Sequence, residues 1–206
     1  MSTAATTRWV SDPRPAPERG TGAASAPDRA ILDGMTSEPR RLVLLRHAKA
    51  EHGAGMPDTL RPLALQGRRQ CTDLGSRLVA AGLVPERVLV SSAVRPRPTW
   101  DLIKGAFAAA PEPDVAVDDR IYDAGPAQLF DVLAEVDPRV RSVLVVGHEP
   151  TLSLVAHTLA GTGQPGHLAQ VASGLPTGSA AVLEVPGWSA LGRDGAVLVD
   201  VVRAHH

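Results

Sequence analysis

Residues 42–45 read Leu-Val-Leu-Leu and run directly into Arg46 and His47. So short an all-apolar run suits a strand buried on both faces, as the strands of parallel sheets are. Its abrupt end in a cation and an imidazole narrows the choice further. In open α/β sheets, ligands bind at the carboxyl ends of the strands. Two later stretches repeat the design. Arg87-Val88-Leu89-Val90 ends in Ser91-Ser92 and leads to Arg95, and residues 142–146 end in Gly147-His148-Glu149-Pro150. His47, Arg95 and His148 are 48 and 53 positions apart. Each therefore belongs to a different crossover, and in one parallel sheet all three would face the same crevice.

The intervening segments carry helical patterns. From Leu63 to Ala81, Cys71, Leu74 and Leu78 share a face, with Arg68, Arg69 and Arg77 on the other. Gly82 is the expected C′ residue. Pro96 and Pro98 fit only the first turn of a helix, expected to run to about Ala109. A short strand is expected at Val115–Val117 and a helix over Ala127–Val136. Another helix starts at Pro150 or Thr151 and runs through Leu159. Residues 162–178 read as loop, and Ala180–Val185 with Ala196–Val202 as a hairpin-like edge. Alternation of this kind predicts an α/β fold: a mostly parallel central sheet between helical layers.

The 206 residues are enough for one domain with a substantial core. With 21 basic against 22 acidic residues, the charge balance gives no reason to expect a nucleic acid or an anionic membrane as partner. Cys71 is the only cysteine, so no intramolecular disulfide or cysteine-based zinc site can form, and a cytoplasmic location is expected. No apolar run approaches the roughly 18 residues that span a bilayer, and the amino terminus lacks a signal peptide's apolar core. Residues 1–38 are rich in Ala, Pro, Ser, Thr, Gly and Arg without helical or strand period. They are expected to form a disordered tail, with residues 39–206 as the single domain.

Two arginines and two histidines converging on one point would make a phosphate site, because a guanidinium binds phosphoryl oxygens as a planar fork. His148 would donate a further hydrogen bond, leaving His47 to attack phosphorus. The ordered set of motifs also resembles a known family. Leu45-Arg46-His47-Ala48-Lys49, with Asp58, Arg61-Pro62-Leu63 and Gly67, is similar to the opening of the histidine phosphatase superfamily. The likeness is to its short branch, the SixA-type phosphohistidine phosphatases. Val90-Ser91-Ser92-Ala93-Val94-Arg95 with Thr99 resembles the family's second arginine segment. Val146-Gly147-His148-Glu149-Pro150 resembles its second histidine segment, and Leu175-Pro176-Thr177-Gly178 its carboxyl-terminal portion.

The resemblance implies a phosphoglycerate mutase-like fold and a phosphatase without a metal or other cofactor. His47 would be the transiently phosphorylated nucleophile. Arg46, Arg95 and His148 would hold the phosphoryl oxygens. Asp58, Arg61, Ser91 and Glu149 are further candidates for contact with substrate.

The chain also departs from the family pattern. Ala48 stands where many members have Gly, and no glutamate matches the acid of mutase-like members; Asp58, Asp119 and Asp123 are the candidate acids, and Glu86 lies at the wrong end of its strand. A missing acid matters little for phosphohistidine, whose imidazole leaves readily once protonated. The short segment between His47 and Arg95 leaves no room for a lid domain. Both points favour a phosphorylated protein as partner. A small phosphate ester and a non-catalytic phosphate-binding module are the alternatives. Arg97 is a possible substitute for Arg95. His52, His157, His167, His205 and His206 read as ordinary polar positions, and Cys71, Trp100 and Trp188 as packing residues.

Overall fold

The computed structural model describes residues 39–51, 55, 61–122 and 124–205, together with Met1. The chain divides into Met1–Ser37 and Glu38–His206, and the architecture below is that of the second unit. The expected tail, and the expectations for His52, Asp58, Asp123 and His206, fall outside the described residues.

Seven strands form one sheet in the order β3-β2-β4-β1-β6-β7-β5. They are β1 (Arg40–Arg46), β2 (Arg87–Ser91), β3 (Asp114–Asp118), β4 (Ser142–Gly147), β5 (Ala160–Gly163), β6 (Ser179–Val185) and β7 (Ala196–Arg203). Only β6 runs against the others, pairing antiparallel with both β1 and β7. Five helices cover the faces: α1 (Leu65–Ala80), α2 (Pro96–Ile103), α3 (Pro126–Ala134), α4 (Thr151–Leu159) and α5 (Pro165–Ser173). The sheet is mostly parallel and the fold is of the expected α/β class.

Strand alternation sorts the core into two layers. Leu42 and Leu44 of β1 join Val143 and Val145 of β4 on the face covered by α3, α4 and α5. Val43 and Leu45 join Leu144 and Val146 on the face covered by α1 and α2. Both faces of β1 and β4 are thus buried, which explains their unbroken apolar runs. Trp100 and Trp188 pack as expected, 6% and 2% exposed, and the indole N–H of Trp188 donates to the Val140 carbonyl at 2.9 Å.

Helix α1 ends as its sequence predicts. Gly82 has φ +68°, its N–H donates to the Val79 carbonyl at 2.9 Å, and the Leu83 N–H donates to the Leu78 carbonyl at 2.8 Å. This is a Schellman motif, with Leu78 and Leu83 sharing a hydrophobic cluster. Helix α2 has Pro96 at its first position, where the missing N–H would have no helical partner anyway. It stops at Ile103, and a 3₁₀ turn, Lys104–Phe107, continues the segment expected as helix to Ala109.

Two expectations fail. Residues 162–178 are not all loop, because β5 reaches Gly163 and α5 fills Pro165–Ser173. The helix escapes notice because Val171 is its only fully buried residue, with Leu168 partly covered. The strand reads Ala-Gly-Thr-Gly, a poor strand by propensity. Its glycines serve close approach: a Cβ on Gly161 would lie 2.2 Å from the Asp194 carbonyl oxygen. The β6–β7 hairpin is also not an edge, since β6 lies between β1 and β7 and the edges are β3 and β5.

At Gly67 in the first turn of α1, a Cβ would fall 2.1 Å from the Lys49 carbonyl oxygen. Gly67→Ala is therefore expected to lower stability by about 1–3 kcal/mol, as overpacking does. Gly105→Ala, which meets nothing within 4 Å, should change it by less than about 0.5 kcal/mol. Urea unfolding compares the two, and equal effects would contradict the close approach of α1 to the loop after β1.

Candidate active site

Strand β1 pairs with β4 in parallel register, with Arg46 opposite Gly147. Neighbouring strands lie about 4.8 Å apart. The residues that follow each strand, His47 and His148, therefore leave the sheet side by side. Their ring centroids are 5.0 Å apart with planes at 63°. Strand β2 flanks β4 on its other side, so Ser91 and the start of α2 reach the same end of the sheet. The buried polar residues of the fold among those described are His47, Gln70, Ser91, Thr99, Ser153 and Ser179. All of them gather around this end, where chain ends and turns supply partners for their polar atoms.

His47 is only 5% exposed. Its Nδ1 lies 2.8 Å from the Ala48 carbonyl oxygen. A carbonyl only accepts, so Nδ1 carries the proton and Nε2 keeps the lone pair. Burial pushes the imidazole pKa down to about 3; the Ala48 carbonyl opposes this, and the charges of Arg95, His148 and Arg46 reinforce it. The ring is neutral at ordinary pH, with its unengaged nitrogen turned to the cleft.

Arg46 Nη1 donates to the Leu175 carbonyl at 2.6 Å. That carbonyl belongs to the Leu175–Gly178 segment flagged in the sequence. The segment is held in turn by Ser153, whose Oγ accepts from the Leu175 N–H at 2.9 Å and donates to Glu149 Oε2. Burial lowers the Arg46 pKa from its ordinary value; Glu149 opposes the shift and Arg95 adds to it. Arg95 caps α2 and is lowered by burial, with Tyr122 opposing. Both guanidiniums remain charged, and their cost of confinement is what an anion would relieve. Ser91 Oγ lies 3.4 Å from His148 Nε2, and the Tyr122 ring meets His148 edge-on at 6.2 Å.

A cleft of about 370 Å³ opens over this group, lined by Arg46, His47, Lys49, Arg61, Gln70 and Arg95 among others. Arg61 lines this cleft, and its Nη1 lies 3.4 Å from the Glu51 carbonyl oxygen. Glu149 does not line the cleft. Its carboxylate is turned to Ser153 and to the charge of Arg46, and burial raises its pKa while Ser153 and Arg46 counteract. Arg97 points elsewhere: it lines a separate cavity of about 530 Å³ with Trp100, Lys104 and Val117. Glu86 accepts from the Arg141 N–H at 2.7 Å, at the opposite end of the sheet. Asp119 sits in a 3₁₀ turn after β3. Among the described residues, no group of three or more His, Cys, Asp or Glu side chains is placed to hold a metal ion.

Several residues at the site were not singled out as functional in the sequence, Lys49 and Gln66 of the cleft lining among them. Tyr122 follows a short 3₁₀ turn and leaves no periodic signal. Thr177 lines the cleft from the loop before β6. Gln70 was visible in principle: it precedes Cys71 and lies four before Leu74, so the apolar stripe of α1 carries one amide.

No protein-family model matches the chain. An uncharacterized protein of Mycobacterium leprae is 35% identical over 161 residues, covering 75% of this chain and 96% of that protein. Two solved structures are each 30% identical. One, from Agrobacterium tumefaciens, is described as a "putative phosphohistidine phosphatase SixA" and superposes with a TM-score of 0.66 over 81% of this chain and 99% of its own. The other, from Nakamurella multipartitia, carries the same description, with a TM-score of 0.68 over 82% and 99%.

The depressed pKa of His47 sets a direction. The folded imidazole resists protonation, so its ¹⁵N resonances should stay those of the neutral, Nδ1-protonated ring from pH 8 down to pH 5. Charging is expected only as pH falls towards about 3. An NMR titration with a midpoint near 6.5 would contradict the desolvated, neutral ring.

Proposed function

The chain belongs to the SixA-type branch of the histidine phosphatase superfamily, and from that membership we propose that it is a phosphohistidine-protein phosphatase working through a covalent intermediate on His47. The observation that carries this reading is the His47–Ala48 hydrogen bond of 2.8 Å. It leaves Nε2 unprotonated in a cleft walled by Arg46 and Arg95.

In the first step His47 Nε2 attacks phosphorus, and the bond from phosphorus to the leaving nitrogen of the substrate breaks. The substrate ring, protonated on its other nitrogen, departs as neutral imidazole, its leaving nitrogen keeping the electron pair of the broken bond. Arg46 and Arg95 take the charge on the phosphoryl oxygens, and His148 donates to one of them. In the second step water attacks the phosphorus on Nε2, the P–N bond breaks, and inorganic phosphate leaves. Two displacements replace one harder one. Most of the acceleration comes from positioning and fixed positive charge, as is general for phosphoryl transfer. Residues 39–206 would act as one catalytic domain.

The substrate class rests on the family: two solved structures at 30% identity are described as SixA phosphohistidine phosphatases. One observation favours a second reading, phosphate monoesters of small molecules: the cleft, at about 370 Å³, falls within the size range of small-ligand pockets.

Assays of kcat/KM on a phosphohistidine protein and on a panel of sugar phosphates and other monoesters separate the two. The expected result is a preference for the protein by at least about 100-fold, with His47→Ala losing about 10⁴-fold or more in kcat, as removal of a nucleophile does. A preference for the monoesters would replace the substrate class. Equal activity of wild type and His47→Ala would remove the nucleophile and return the chain to a phosphate-binding role.

A further inference from the structure

Gln70 is a buried amide, 4% exposed, on the otherwise apolar face of α1. Its Oε1 accepts from the Lys49 N–H at 3.0 Å. That N–H belongs to the same peptide group as the Ala48 carbonyl, which holds His47 Nδ1 at 2.8 Å. A trans peptide is planar, with its C=O and N–H pointing in opposite directions. Fixing the N–H therefore fixes the carbonyl. We infer that Gln70 is a positioning residue for the His47 nucleophile: by holding the Ala48–Lys49 peptide plane, it selects the Nδ1-protonated tautomer and leaves the Nε2 lone pair facing the cleft. This rests on the reading of His47 as the nucleophile.

The surroundings support a rigid arrangement. The next carbonyl, that of Lys49, accepts from the Ala64 N–H at 2.9 Å, just before α1. Gly67 lets the helix approach that carbonyl, and Gly178, at φ +66°, packs against the Gln70 side chain. The preceding peptide is held separately, its Ala48 N–H donating to Thr99 Oγ1 at 3.2 Å. The Ala48–Lys49 plane thus has one partner on each side: Gln70 on the N–H and His47 on the carbonyl. Without Gln70 the N–H side of this plane loses its partner, and the carbonyl that accepts from His47 Nδ1 is held less firmly. The opposite tautomer then grows, with its lone pair on the nitrogen turned away from phosphorus.

The test replaces Gln70 by Met, which keeps the length and removes the acceptor, and measures both activity and the His47 tautomer by ¹⁵N NMR. Gln70→Met should lower kcat about 10- to 100-fold, the usual effect of removing a partner that orients a histidine, while KM changes less than about threefold. The Nε2-protonated tautomer should become populated. Gln66→Met, one helical turn away, removes the 2.8 Å contact to Lys49 Nζ and should leave the tautomer unchanged. A Gln70→Met protein with wild-type tautomer and kcat would overturn the inference. Should that variant not fold, the wild-type protein decides: a through-hydrogen-bond coupling between the Lys49 amide nitrogen and the Gln70 side-chain carbonyl carbon is expected, and its absence overturns the inference. Loss of the nucleophile reading is separately visible, as activity that survives His47→Ala.

Discussion

Everything at the site depends on the parallel pairing of β1 with β4. Arg46 lies opposite Gly147 in that register, so the two histidines emerge as neighbours. Shifting the pairing by one residue would turn Leu42 and Leu44 into the layer that now holds Val43 and Leu45. The core and the site are therefore specified together. The apolar alternation that buries both faces of β1 also decides which way Arg46 points at its end. Antiparallel β6 closes the other side, with Ser179 opposite Arg46 and the Leu175–Gly178 segment leading into it. Through that segment the Arg46 guanidinium finds its acceptor at Leu175.

The chemistry follows from a second constraint, the burial of polar groups near fixed cations. Burying a charge is costly unless it is paired. His47 meets the constraint by staying neutral, and the surrounding positive charge reinforces this. Arg46 and Arg95 cannot deprotonate, so their burial lowers their pKa without neutralising them. Under the proposed function, a phosphoryl group would bring its negative charge to these guanidiniums, at the cleft that His47 lines. Glu149 moderates Arg46 from behind, its carboxylate turned to Ser153 and away from the cleft.

Much of this was legible in the sequence. The strands that carry the site are continuous apolar runs, and these are what fully buried parallel strands require. Gly82 gave the end of α1, and Pro96 gave the start of α2. Arg46, His47, Arg95 and His148 were readable because each follows such a run or the turn beyond it. The order of strands was not legible, since it rests on which crossovers pack against which face. Helix α5 and strand β5 were missed because one buried valine and two glycines give no periodic signal. Gln70 was missed for a different reason. Its partner is a backbone N–H some 21 residues earlier, and no residue type advertises a bond to the main chain. The turn of the Glu149 carboxylate away from the cleft depends in the same way on a side-chain contact, to Ser153 of α4.

The central claim is that phosphorus passes through His47, and the direct measurement is to map it. The protein is mixed with a ³²P-labelled phosphohistidine protein under single-turnover conditions, quenched in base and digested. The account predicts an acid-labile, base-stable label on the peptide that contains His47. Label on any other residue, His148 included, would contradict it.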